Sequence, residues 1–279
     1  MPNDLSDSPL KKAFEDWLMR QVDMTRLDLT TGTATKMYDC VAEEVPLKIT
    51  VNNDYAFVIW SSPSQFKELA VGHLYAEDIL YSIDEIESIT TDPAENVCHV
   101  KFKAGINLDD RMDNRRRGAR IVPLIKNSAS AYQHDDKIAS VQSGLKIKAQ
   151  TILDVICMMN EKATGFKETG GLHDSGIFTA DGAMVAFSED VGRHNTVDKV
   201  IGEGLLKGLD FGQCFMIITG RVPGDMIYKA AKVGLPIVAS VAAVLNSGVS
   251  SAQKANVTLV GFVRGKRMNV YTSPERITL

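Results

Sequence analysis

The chain has 279 residues, 44% of them hydrophobic and 24% charged, with a net charge of −4. That length gives a real core in one large domain or two small ones, and the balance is that of a globular chain rather than a disordered or fibrous one. A mildly acidic surface makes nucleic acid a poor partner for the molecule as a whole, and no run of 18 apolar residues offers a membrane span.

Cys40, Cys98, Cys157 and Cys214 are far apart, so none has the close second cysteine that a zinc or redox pair needs. They read as small buried hydrophobes. Acids run through the first residues and no continuous apolar region of a secretory signal precedes the fold, so the expected compartment is the cytoplasm.

In chain order, residues 1–30 read as an arm with an amphipathic helix around Leu10, Phe14 and Leu18. Residues 31–145 read as a smaller β-rich part. Within it VPLKITVNN and AFVIWSS are strands joined at Asn52, Asn53 and Asp54, residue types that tolerate positive φ. Ser64 is the expected N-cap of a helix carrying Phe66, Leu69, Ala70 and Leu74, and NVCHVKF alternates as a strand. Arg115 to Arg117 lie in a charged, irregular stretch that reads as either an anion site or a solvated loop.

Residues 146–279 alternate strands with helices, the pattern of an α/β fold with parallel crossovers. The first helix places Ile152, Val155, Ile156 and Met159 on one face. GIFTA and AMVAF then precede Ser188-Glu-Asp-Val-Gly-Arg-His-Asn195, where Asn195 with Asp198 resembles a capping box; this leaves Glu189 to His194 in a loop. Ligands of open α/β sheets bind at the carboxyl ends of the strands. Successive crossovers would therefore bring Asp190, Arg193, His194, Arg221 and Asp225 to one rim, joined by the small residues of 240–250. Arginines beside glycine-bearing turns at helix starts suit a phosphate; the plainer alternative is an Asp190–Arg193 pair that only ties the loop down.

His173 follows two glycines where a strand begins, as a ligand contact or a structural histidine. His173-Asp-Ser175 has no glutamate two residues on and residues 221–225 hold no cysteine, so the ligand set of a zinc deaminase is missing and no metal site is expected. Arg264, Lys266 and Arg267 share a turn between two strands, either a second anion site or a solvated tip.

Together TGGLH, EDVGRHNTVDK, TGRVPGDM, AAKVGLPIVAS and TLVGFVRGKRMNVYT resemble the FdhD family of formate dehydrogenase accessory proteins, with similarity running from about Glu43 to Arg276. The resemblance implies a cytidine-deaminase-like α/β domain with the smaller β-rich part before it, usually as a homodimer. It implies binding of the molybdenum cofactor bis-molybdopterin guanine dinucleotide through Phe262, Val263, Arg264, Gly265, Lys266 and Arg267. His173, Asp190, Arg193, His194 and Arg221 would complete the site. It also implies sulfur transfer from a cysteine desulfurase to the cofactor before formate dehydrogenase receives it. Family members that transfer sulfur carry a Cys-x-x-Cys between the two parts, whereas the corresponding stretch from Lys126 to Gln133, which includes Ala129 and Tyr132, has no cysteine. A thiolate is the required nucleophile. Cys157 beside Ile156 and Cys214 at the head of an apolar strand read as inert, and Cys40 is the nearest substitute. Two readings stay open, a sulfurtransferase and a non-catalytic cofactor-binding chaperone.

Overall fold

The computed structural model describes residues 18–112 and 140–279. The arginines at 115–117 and the Lys126–Gln133 stretch lie outside them, as does the helix expected around Leu10 and Phe14. Met19–Asp28, read from the sequence as part of an arm, forms β1 and pairs antiparallel with β2, Thr33–Ala42. Asp28 makes the turn, its Oδ1 accepting from the amides of Thr30 and Thr31 at 2.8 and 3.2 Å. Most of this ribbon is exposed, so its alternation carries no clear apolar face for sequence reading to find.

The smaller part is a four-stranded sheet in the order β4-β3-β6-β5, built from β3 (Val45–Val51), β4 (Tyr55–Ser61), β5 (Ile86–Asp92) and β6 (Val97–Phe102). Asn52 and Asn53 turn the β3–β4 hairpin with φ of 51° and 65°, as their residue type allows. Asn52 Oδ1 also accepts from the Phe102 amide at 2.7 Å. Leu47, Ile49 and Val51, alternate residues of β3, are fully buried with Leu69 and Leu74 of α1, Phe66–Ala76. Ser64 is not the cap of this helix. Gln65 occupies that position in the left-handed region, and the Ser64 hydroxyl instead accepts from Lys199 Nζ at 3.2 Å.

The larger part carries a six-stranded mixed sheet in the order β13-β12-β11-β10-β8-β9. Its strands are β8 (His173–Thr179), β9 (Met184–Asp190), β10 (Cys214–Ile218), β11 (Ile237–Ser240), β12 (Thr258–Arg264) and β13 (Arg267–Val270). β10, β11 and β12 run parallel, and β8 runs against both β9 and β10, so β9 shares their direction. Helices α4 (Arg193–Leu206), α5 (Gly224–Lys232) and α6 (Asn246–Ala255) are the crossovers. Their side of the sheet buries Ile177, Val200, Met216, Ile227, Val238 and Leu259. α2 (Ala149–Lys162) covers the other side, where Ile152, Val155 and Met159 meet Phe178, Phe215 and Val260. α3 (Thr164–Thr169) links α2 to β8. The short pairing of β7 (Ile147–Lys148) with β14 (Ile277–Thr278) closes the chain onto the start of α2.

Val141 and Leu145 already belong to the cores of this part, ahead of residue 146 where the sequence pattern suggested it begins. Two glycines join the parts. A Cβ on Gly72 of α1 would stand 1.8 Å from the carbonyl oxygen of Asp198 in α4, and one on Gly202 of α4 would stand 1.9 Å from that of Glu68 in α1. Only glycine lets the two helix backbones touch. Among the described residues no helix is long and apolar enough to cross a membrane.

Candidate anion-binding rim

Because β8 runs opposite to its neighbours, its first residue lies at the sheet edge where β9, β10, β11 and β12 end. His173 opens β8 directly across from Asp190, the last residue of β9. Asn195 does not cap α4. The helix starts two residues earlier, after Gly192, and the Asn195 amide donates to Asp190 Oδ1 and to the Trp60 carbonyl, each at 2.8 Å. Glu189 and Asp190 are therefore strand residues, and Arg193 and His194 form the first turn of the helix, not a loop as the spacing had suggested.

Asp190 is withdrawn from the rim. Fully buried, its carboxylate lies 2.6 Å from Lys199 Nζ and accepts from the amides of Gly192 at 2.8 Å and Ser62 at 3.1 Å. It pairs with Lys199 rather than Arg193, and it anchors the end of β4 beneath the α4 turn. The Val191 amide adds to that joint by donating to Ser62 Oγ at 3.1 Å.

Apart from Asp225, what remains on the rim is cationic. Arg193 lies across the β10–α5 loop, where a Cβ on Gly220 would come within 2.9 Å of its Cβ and 3.2 Å of its Cδ. Its Nε is buried with no hydrogen-bond partner among the described residues, a costly state that an oxyanion would relieve. The N-cap residues Gly192, Pro223 and Leu245 make no side-chain capping bond, and in the first turn of α5 the Gly224 and Met226 amides donate to Ser247 Oγ and Asp225 Oδ1 at 3.2 and 3.0 Å. The positive ends of three helices thus face one edge. Burial lowers the His173 pKa, and the nearby charges of Arg193 and Arg221, with His194, lower it further against the opposing pull of Asp190. These residues are consequently one electrostatic cluster, with His173 favoured as the neutral ring. His194 Nε2 stands 2.9 Å from Asp225 Oδ2.

The β12–β13 turn borders the third loop of the same edge. The Phe262 amide donates to the Ala242 carbonyl at 3.0 Å and Arg264 Nε to that of Val241 at 3.3 Å. Phe262 sits at φ 52° in an irregular register between Gly261 and Arg264, and the Arg264 guanidinium lies 5.6 Å from its ring centroid. Phe262, Arg264, Arg267 and Asn269 line an open hollow of about 280 Å³. Gly265 and Lys266 are exposed beside it. Val263 is not available there, because its side chain is 3% exposed and packs in the core under α2.

Two acids went unassigned in the sequence. Asp174, paired across the strands with Glu189, is buried; burial and the Glu189 charge push its pKa up to about 7. Glu189 accepts from the amides of Phe166 at 2.9 Å and Gly165 at 3.3 Å at the start of α3. The cysteines differ among themselves. Cys98 and Cys214 are buried, and burial drives the Cys98 thiol to about 12. Cys157 is exposed rather than buried, lying outside the apolar face of α2. Cys40 is half-buried on β2, whose base meets the rim's approach: a Cβ on Gly171 would lie 3.2 Å from that of Ala42.

Residues 42–278 match the model of the FdhD/NarQ family. The sulfur carrier protein FdhD of Methanothermobacter thermautotrophicus is 34% identical over 263 residues, which cover 93% of this chain and 99% of that one. Its counterpart in Sulfolobus acidocaldarius is 36% identical over 253 residues, 89% and 95% of the two chains. A crystal structure from Desulfotalea psychrophila, of a protein provisionally described as a formate dehydrogenase accessory protein, superposes with a TM-score of 0.76 at 24% identity. It covers 94% of this chain and 100% of that one, which is evidence for the fold.

Proposed function

Because the chain belongs to the FdhD/NarQ family, we propose that it is a cytoplasmic formate dehydrogenase accessory protein that holds the molybdenum cofactor, bis-molybdopterin guanine dinucleotide, as cargo. The relatives' name supports a sulfur-carrier role; in this reading a cysteine desulfurase is the donor, formate dehydrogenase the recipient and a homodimer the working form. The hairpin followed by three parallel crossovers supports the cytidine-deaminase-like reading of the larger part.

One observation carries the cargo reading. The buried, unpartnered Nε of Arg193 sits at an uncapped helix start within the electrostatic reach of Arg221 and His173, an arrangement that a phosphate completes. Arg264, with a ring beneath it, offers a second cation over a hollow that a phosphate or a planar group fits. Calorimetric titration with guanosine diphosphate tests it. Binding is expected to weaken with added salt and in Arg193→Ala and Arg264→Ala, and to survive replacement of all four cysteines by alanine. Wild-type affinity in Arg193→Ala would remove the rim from the site.

The sulfurtransferase reading is favoured by the half-buried Cys40 at the base of the β1–β2 ribbon, near the segment leading into His173. Incubation with a desulfurase and cysteine is then expected to add one sulfur atom to Cys40 by intact mass. No gain on any of the four thiols would leave the chain a non-catalytic carrier of the cofactor.

A further inference from the structure

Asn195, in the first turn of α4, is 4% exposed, and its side-chain amide reaches back beneath the start of its own helix. Nδ2 lies 2.8 Å from Asp190 Oδ1 and 2.8 Å from the Trp60 carbonyl oxygen. A carboxylate and a carbonyl only accept, so the group facing them is the NH2, with one hydrogen for each. Asp190 Oδ1 also accepts from the Gly192 amide at 2.8 Å and Oδ2 from the Ser62 amide at 3.1 Å, while Ser62 Oγ accepts from the Val191 amide at 3.1 Å. The turn between β9 and α4 is thereby tied to the end of β4, and Asn195 closes the ring.

The amide fills space as well as bonding. A Cβ on Gly192 would stand 2.7 Å from Asn195 Nδ2 and 2.9 Å from its Cγ, so the turn rests directly on this side chain. Gly192 is the N-cap of α4 and Arg193 the first helical residue. Where Gly192 rests therefore sets where the Arg193 stem begins. That stem is confined again at Gly220, where a Cβ would come 2.9 Å from the Arg193 Cβ, and the buried Nε at its end has no hydrogen-bond partner among the described residues. An arginine with so little slack depends on the backbone beneath it.

We propose that Asn195 is a positioning residue for the rim: its two amide hydrogens lock the start of α4 onto the end of β4 and so hold Arg193 where its ligand meets it. The smaller part thus enters binding indirectly, through the Trp60 carbonyl and the Ser62 amide. That Arg193 meets a phosphate rests on the reading of the rim above; that Asn195 positions Arg193 does not. Aspartate reproduces asparagine here in shape only. As a neutral acid it has one hydrogen to donate; as a carboxylate it has none and faces the Asp190 charge. Burial and that charge would raise its pKa, against the pull of Lys199, which stands 2.6 Å from Asp190 and already serves one carboxylate. His173 stands across the strands from Asp190 and is common to both proteins.

Guanosine diphosphate is titrated calorimetrically into full-length wild type and Asn195→Asp from pH 5 to pH 8. The ratio of the two affinities cancels every titration the proteins share. Asn195→Asp is expected within about threefold of wild type at pH 5 and about tenfold or more weaker at pH 8, the scale of one hydrogen bond, with the number of sites unchanged. A merely structural loss would lower the number of sites instead. A ratio that is flat with pH overturns the proposal, whether affinity is kept or lost throughout. Without ligand, the Arg193 Nε–H signal in nitrogen–proton spectra, identified by its loss in Arg193→Lys, is expected to move in Asn195→Ala. The signal of Arg111, paired with Glu85 in the smaller part, should stay. An unmoved Arg193 signal overturns the positioning role directly. If the wild type binds no guanosine diphosphate, the phosphate reading falls and the spectra still decide whether Asn195 positions Arg193. If Asn195→Ala unfolds, the Arg111 signal moves as well, and the same comparison is made with Asn195→Asp at the two ends of the pH range.

Discussion

Lys199 Nζ lies 2.6 Å from Asp190 Oδ2 with both side chains wholly excluded from solvent, and the pair sits where the smaller sheet meets the larger. The ammonium also reaches the Ser64 hydroxyl at 3.2 Å and the Ser62 carbonyl at 3.5 Å, while the carboxylate collects the amides of Ser62 and Gly192 and the side chain of Asn195. Removing one partner strands the other charge in the interior, which costs about 3–5 kcal/mol. Lys199→Met is therefore expected to lose stability on that scale in urea unfolding. A loss below about 1 kcal/mol, the range of an exposed ion pair, would show that the joint tolerates the uncompensated carboxylate.

The contact between α1 and α4 gives a sharper test, because it depends on one hydrogen atom. In Gly202→Ala the new methyl would meet the Glu68 carbonyl at 1.9 Å, backbone against backbone, so the helices must separate. A loss at or above the usual overpacking range of about 1–3 kcal/mol is expected by chemical denaturation. Gly144→Ala is the control: nothing stands within 4 Å of its Cβ and its φ is not positive, so its midpoint should hold. Equal midpoints for the two variants would contradict the close approach.

The regular crossovers were legible because their periodicity is local. CFMII and PIVAS are short apolar runs between helices, and both are strands of the large sheet. The shared edge of the β9, β10 and β11 loops was legible too, since the direction of those strands fixes which loops lie together. Long-range side-chain partners were not legible. Asn195 resembles a cap, yet its amide is drawn to Asp190 and to the Trp60 carbonyl, 135 residues away in sequence. Lys199 carried one signal, a lysine amid the apolar spacing of Val197, Val200 and Ile201, but its carboxylate partner comes from the preceding strand. Val263 adjoins Arg264 in a basic segment and still points into the core, because alternate residues of a strand face opposite ways.

Gly220 offers a way to disturb the rim without touching a charge. Its Cβ would stand 2.9 Å from the Arg193 Cβ, which the α4 backbone fixes, and 3.2 Å from its Cδ, so the β10–α5 loop and the start of α4 must move apart. Gly220→Ala should therefore displace the guanidinium, with about 1–3 kcal/mol lost on unfolding, the usual overpacking range, and about tenfold lost in guanosine diphosphate affinity. The reverse outcome, unaltered affinity in a protein of unaltered stability, would mean that the Arg193 position does not govern binding.

Asp174 makes the protein's stability depend on pH in a direction opposite to that of most carboxylates. Its folded pKa of about 7 lies well above its ordinary value of 3.8 because burial and the neighbouring Glu189 both disfavour the charge. Between those two values the folded state holds a proton that the unfolded state has released. The stability contribution is therefore full below about pH 4 and falls as pH rises towards 7, by up to about 1.4 kcal/mol per unit. Asp174→Asn keeps the shape and removes the titration. Urea unfolding of both proteins from pH 4 to pH 8 should show the variant gaining on the wild type up to about pH 7 and the difference levelling beyond it. A difference that stays flat across the window would mean that the Asp174 carboxyl ionises at its ordinary value in spite of its burial.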